Sequence, residues 1–123
     1  MTEPDEVFDA VAAYFSILSE PNRLKIMHAI CQQERSVNQI VEEVGATQTN
    51  ISRHLNLMHR GGVVTRRKEG NQVFYRISDP AMVEICRTVC VRIAGSIENR
   101  QPLRQGLMRL ITSVGEQSSN GLD

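Results

Sequence analysis

Tryptophan is absent from this 123-residue chain, and phenylalanine and tyrosine make up only 4% of it. With rings so scarce, Tyr75 reads as a packed core residue and not as a base-stacking platform. Cysteine is scarce too. Cys31, Cys86 and Cys90 are an odd number without framework spacing, which excludes a secreted disulfide scaffold and implies reduced thiols. No apolar run approaches the ~20 residues that a membrane helix needs. The acidic start, Met1 to Glu6, lacks the basic and apolar regions of a signal peptide, so a cytoplasmic location with no membrane partner is expected. Phosphate-binding glycine loops and nucleophile elbows are also missing. The adjacent carboxylates Glu42 and Glu43 point about 100° apart on a helix. A non-enzymatic protein is expected, of a length that buries one core without metal or disulfide help.

Formal net charge is zero, yet its distribution is uneven. Residues 1–46 carry three Lys/Arg against eight Asp/Glu, and residues 77–123 carry five of each. Between them, residues 47–76 hold six (Arg53, Arg60, Arg66, Arg67, Lys68, Arg76) against Glu69 alone. A basic block inside a neutral chain suits local contact with phosphates, although a solvated charged face has the same composition.

Apolar spacing predicts a helix from about Asp5 to Leu18, through Val7, Phe8, Val11, Tyr14 and Phe15. Ser19 is the expected cap of a second helix that reaches about Gln33, with Pro21 in its first turn. Ser36 and Gln39 form a capping-box pattern, and Gly45 suits the end of that short helix. Thr47 can cap the next helix, which Gly61-Gly62 stops near Arg60. Two short helices joined by a tight turn make a helix-turn-helix. Val63–Arg67 and Gln72–Ile77 then read as a hairpin around Lys68–Asn71, held to the core by Val64, Val73, Tyr75 and Ile77. Asp79-Pro80 opens a long helix striped by Met82, Cys86, Val89, Cys90, Ile93 and Ile97. Leu103, Leu107, Leu110, Ile111 and Val114 suggest one more. The expected fold is mainly α with a small β-hairpin: a winged helix-turn-helix of about five helices, a two-stranded wing and an extra C-terminal helix. Residues 1–114 form the expected DNA-binding and dimerisation domain, and 115–123 a disordered polar tail.

The helix 47–60 is the most informative. Ile51, Leu55 and Met58 make one buried stripe. The opposite side presents Gln48, Thr49, Ser52, Arg53 and Asn56, short donors and acceptors where a merely solvated helix more often carries Glu/Lys pairs. Amides pair with adenine and Arg with guanine in a major groove. Gln48, Ser52, Arg53 and Thr49 are therefore assigned to base edges, and Asn56 and Arg60 to nearby phosphate. Arg66, Arg67 and Lys68 on the hairpin are assigned to the backbone beside the groove. Of the other histidines, His54 reads as structural and His59 as phosphate-facing. A winged helix serving only protein contacts is the rival, and it should show apolar or aromatic residues on this face.

Taken together, Leu18-Ser19-Glu20-Pro21-Asn22-Arg23-Leu24-Lys25-Ile26, Ser36–Ile40, Ile51–Met58, Gly62-Val63-Val64, Arg66–Asn71 and Tyr75-Arg76-Ile77 resemble the ArsR family of bacterial metal- and thiol-responsive repressors. The similarity covers about Tyr14 to Val91. It implies a homodimer built from the first and last long helices. That dimer would bind an imperfect inverted repeat in double-stranded DNA, its half-sites about 34 Å apart, and block transcription until an inducer binds.

What is sensed stays open at this point. Cys86 and Cys90 lie at i, i+4 on one helix face and can share a soft ion such as As(III), Cd(II) or Zn(II), with Cys31 and His28 as further candidates. The sequence departs from the family's Cys-x-Cys pattern, since Ile40-Val41-Glu42 offers no thiol, and its last helix has no His. Cys31 with Cys86 or Cys90 also resembles family members that sense persulfide or oxidant, displaced by about a turn in each helix. All three cysteines equally suit a plain core role. No cofactor is obligatory on any of these readings.

Overall fold

The computed structural model describes residues 3–96 and 101–122. Helix α1 (Glu3–Ser16) runs into a 3₁₀ turn (Ile17–Ser19), followed by α2 (Pro21–Ile30), strand β1 (Arg35–Ser36), α3 (Val37–Val44) and α4 (Gln48–Arg60). The hairpin β2 (Val64–Glu69) and β3 (Gln72–Ile77) leads to α5 (Pro80–Ser96) and α6 (Gln101–Leu122). Among the described residues the outcome is a winged helix-turn-helix of six helices and an antiparallel sheet in the order β1-β3-β2.

Local chemistry explains most boundaries. Ser36 accepts from the Gln39 N–H at 3.2 Å while the Gln39 side chain accepts from the Ser36 N–H at 2.8 Å, a complete capping box. Gly45 closes α3 at φ +79, a conformation that costs a side-chain-bearing residue. Thr47 caps α4 through the Asn50 N–H, and Asp79 receives the Ala81 N–H ahead of Pro80.

Several boundaries depart from expectation. Glu20, not Ser19, caps α2, and its side chain accepts from the Arg23 N–H at 3.1 Å. The reason is Pro21, whose ring pushes the preceding residue into extended backbone, the conformation that a cap requires. Ser19 instead lies in the 3₁₀ turn and donates to the Ser16 carbonyl at 2.7 Å. The first helix stops at Ser16 and the second at Ile30, and β2 runs to Glu69, so Lys68 and Glu69 are strand residues. The hairpin turn is only Gly70-Asn71, with Gly70 at φ +62. The short β1, which pairs Arg35 with Tyr75 and Ser36 with Phe74, extends the expected two-stranded wing to three strands. Helix α6 continues through Leu122, into the segment expected to be a polar tail. Ile97, placed on the α5 stripe from sequence, lies outside the described residues, as does the side chain of Val114.

Ile26, Ile30, Ile40, Ile51, Leu55, Met58, Val63, Val64 and Met82 are fully buried and form one aliphatic core beneath α2, α3, α4 and the sheet. Tyr75 joins that core, as the scarcity of rings suggests. Outside it, α1 leaves Val7, Phe8, Val11 and Phe15 exposed, and α5 leaves Val89, Val91 and Ile93 exposed.

Candidate nucleic-acid interface and thiol cavity

The core anchors α4 by Ile51, Leu55 and Met58, which fixes the direction of its opposite side. Gln48, Thr49, Arg53, Asn56 and Arg60 are exposed there and Ser52 is half-buried. A cleft separates this helix from the wing, lined by Gln48, Ser52 and Asn56 on one wall and by Asn71, Gln72 and Val73 on the other. Two of the expected groove-facing side chains, Gln48 and Ser52, thus share one polar surface with the hairpin, while Thr49 and Arg53 lie outside the cleft.

Strand alternation divides the three wing cations. Arg66 lies opposite Tyr75 and Lys68 opposite Val73, on the face of the sheet that meets α4. There the Arg66 guanidinium donates to the Asn56 side-chain carbonyl at 3.2 Å. Arg67, expected beside them at the phosphates, lies opposite Phe74 and so projects from the other face. Its guanidinium meets Glu34 at 2.7 Å and Glu69 at 2.9 Å and stacks 4.6 Å from the Phe74 ring centroid. The hydrogen bond from Arg67 holds the Glu34 carboxyl below its ordinary range. Arg67 ties the wing to the loop before β1, a role that three consecutive basic letters do not reveal.

Sequence reasoning also missed the anchor beneath α4. Arg23 donates from Nε to the Ile17 carbonyl and from Nη2 to the Ser16 carbonyl, both at 2.9 Å, closing the end of α1 and the 3₁₀ turn. Its third nitrogen lies 3.2 Å from His54 Nδ1, and His54 Nε2 lies 3.4 Å from Glu20. Since Arg can only donate, Nδ1 is the acceptor and the proton resides on Nε2, toward the carboxylate. His54 is buried, as its structural assignment requires. Asn22 adds a 3.3 Å bond to Asn50. Helix α2 therefore holds the outward-facing helix at two points.

Burial keeps the His54 imidazole below its ordinary value of 6.5, against the opposing pull of Glu20. The unfolded chain takes up this proton first as pH falls, so stability is lost from about pH 6.5 downward. His54→Gln, which keeps a polar group but cannot titrate, should lose less melting temperature between about pH 7 and 5 than the wild type. Equal losses in the two proteins would remove His54 from the pH response.

All three cysteines line one cavity of about 250 Å³ between α2, α5 and α6, together with His28. Cys31 is buried and its thiol donates to the His28 carbonyl at 3.2 Å; Cys86 and Cys90 are half-buried. Burial, reinforced by the nearby Cys90, pushes the Cys86 thiol up to about 11, and burial raises Cys90 as well. Among the described residues no three His, Cys, Asp or Glu side chains are grouped to hold a metal ion. The four metal candidates Cys31, Cys86, Cys90 and His28 share a cavity without forming a ready ligand set. Among the described residues no helix is long and apolar enough to cross a membrane.

Comparison with known proteins agrees with this architecture. The sequence profile of the family described as "Bacterial regulatory protein, arsR family" matches residues 20–66, from the cap of α2 into β2. The uncharacterised HTH-type transcriptional regulator Rv0081 of Mycobacterium tuberculosis is 30% identical over 95 residues, 74% of this chain and 83% of that protein. Its crystal structure aligns with a TM-score of 0.67 over 77% of this chain and 97% of that one, at 29% identity. A probable mercury resistance operon repressor of Streptomyces lividans is 30% identical over 105 residues, covering 75% of this chain and 84% of the relative. The solution structure of the homodimeric winged helix-turn-helix DNA-binding domain of Mb0332 from Mycobacterium bovis, a possible ArsR-family regulator, gives a TM-score of 0.69. It is 28% identical and covers 81% of this chain and 94% of that domain. The chain belongs to the arsR family of bacterial regulatory proteins, a DNA-binding transcriptional regulator built as a winged helix-turn-helix.

Proposed function

We propose that the chain is a homodimeric repressor that holds an inverted repeat in double-stranded DNA and releases it when an inducer acts at its cysteines. Gln48, Thr49, Ser52 and Arg53 read base edges, while Asn56, Arg60, Arg66 and Lys68 lie along the phosphates. The observation that carries the inducer reading is the convergence of Cys31, Cys86 and Cys90 on one cavity. Its α2 wall also grips the recognition helix through Arg23 and Asn22. A bond between α2 and α5 alters the packing of the helix that positions α4, which links thiol state to DNA affinity.

Persulfide or oxidant is the favoured inducer. With peroxide, Cys31 and either Cys86 or Cys90 lose two protons and two electrons, one S–S bond forms and two waters leave. The attacking species is the thiolate, and the raised Cys86 and Cys90 values keep that form scarce at neutral pH. Oxidation should therefore accelerate with rising pH, by up to roughly tenfold per unit between about 7 and 9. Mass spectrometry after peroxide or sulfane-sulfur treatment, run beside operator binding, checks this. A linked Cys31 that accompanies DNA release supports it. A triple Cys→Ser variant that still responds to the inducer assigns the thiols to packing.

Response to a soft ion (As, Cd, Zn) is the second reading, favoured by the mercury-resistance name of the Streptomyces lividans relative and by the i, i+4 placement of Cys86 and Cys90. Both thiols must then shed protons that the apolar surroundings favour. Titration with As(III) and Cd(II), followed by operator release, separates the two readings.

A further inference from the structure

Leu24 and Met27 from α2, Val83 and Ile93 from α5, and Leu107 and Leu110 from α6 give the thiol cavity an almost wholly apolar wall. At about 250 Å³ it exceeds the ~150 Å³ in which a benzene ring fits an apolar protein cavity. One charged group breaks the pattern. Arg87 lines the same space, and its Nε–H is buried with no hydrogen-bond partner among the described residues. Folded proteins rarely leave such a donor unmatched, and a guanidinium is best matched by an anion. The thiols beside it are weak partners, and the other polar side chain on these walls, His28, carries no negative charge to match a guanidinium.

We infer that this cavity is a binding site for a small apolar carboxylic acid, its ring or short alkyl body against the leucines and its carboxylate accepting from Arg87 Nε. The site is the one to which the thiol response is assigned, but its occupation needs no reaction of the thiols. An acid seated there presses on Leu24 and Met27 of α2, the helix that carries Asn22 and Arg23 to the recognition helix.

The test uses the reduced full-length protein without DNA, so its failure leaves the thiol response untouched, and failure of the thiol response leaves it untouched. Calorimetric titration with 3-phenylpropanoate and with 3-phenylpropan-1-ol compares an acid with its neutral counterpart. The acid should saturate one site per chain and bind at least about tenfold tighter than the alcohol, the usual gain of a charge-assisted bond. Arg87→Gln should bring the two within about twofold, and Leu107→Trp, which fills the cavity, should abolish both. Absence of saturable binding by the wild type, equal binding of acid and alcohol, or an undiminished preference in Arg87→Gln overturns the proposal. If Arg87→Gln does not fold, the wild-type comparison and Leu107→Trp still decide it.

Discussion

Phe8→Asp is expected to separate the proposed dimer and lower operator affinity by about a hundredfold or more. Phe8 is 71% exposed and shares α1 with Val7, Val11 and Phe15, each about half-exposed. A contiguous apolar face of that kind on a small protein marks a contact surface. Since the ring touches little within its own chain, an aspartate there costs the monomer fold little. Within an apolar subunit contact the same carboxylate is desolvated without a partner, which is strongly unfavourable. The loss for DNA follows from geometry. In a dimer the second recognition helix meets its half-site at an effective concentration near millimolar, and separate chains lose that advantage. Sedimentation at micromolar concentration and operator titration check the result together. A variant that remains dimeric with wild-type affinity places the subunit contact elsewhere.

Arg53→Ala is expected to cost operator binding about 1–3 kcal/mol, or roughly 5- to 150-fold, while barely changing affinity for unrelated duplex. The reason is its position: the exposed middle of α4, on the side opposite Ile51, Leu55 and Met58. The wing should behave differently, and its two faces should differ from each other. Arg66→Ala and Lys68→Ala each remove a cation from the α4 side and should each flatten the plot of log affinity against log salt by about 0.9. Arg67→Ala should leave that slope unchanged, because Arg67 is already matched by Glu34 and Glu69. Glu34→Gln sharpens the comparison. If Arg67 contacted phosphate, freeing it from Glu34 would tighten binding and steepen the slope. If it only braces the wing, Glu34→Gln should weaken binding modestly, and the Arg67→Ala and Glu34→Gln losses should not add.

How far each feature was legible follows from the range of the interaction that fixes it. The Ser36–Gln39 capping box, the Thr47 cap and the end of α3 at Gly45 are settled within four residues of chain, so their letters suffice. Helix α4 was equally legible because its apolar and polar residues separate at helical spacing. The cap of α2 falls one residue past the hydroxyl of Ser19, on the Glu20 carboxylate directly before Pro21, because the constraint from proline, itself local, outweighs the usual preference for a hydroxyl. Strand β1 has no signature in the sequence because two residues carry no periodicity, and only β3 gives them a partner.

The site divides along the same line. Order along the chain alone determined the element sequence of a winged helix-turn-helix, the outward face of α4 and the presence of a basic hairpin, because each depends on neighbours a few positions apart. Only the folded chain could decide that Arg67 turns away from Arg66 and Lys68 toward Glu34, 33 residues earlier. It alone joined Arg23 to His54 across 31 residues and brought Cys31 into one cavity with Cys86, Cys90 and Arg87. The physical reason is that a charge or a thiol takes its character from whatever lies across the gap, and no local pattern encodes that neighbour.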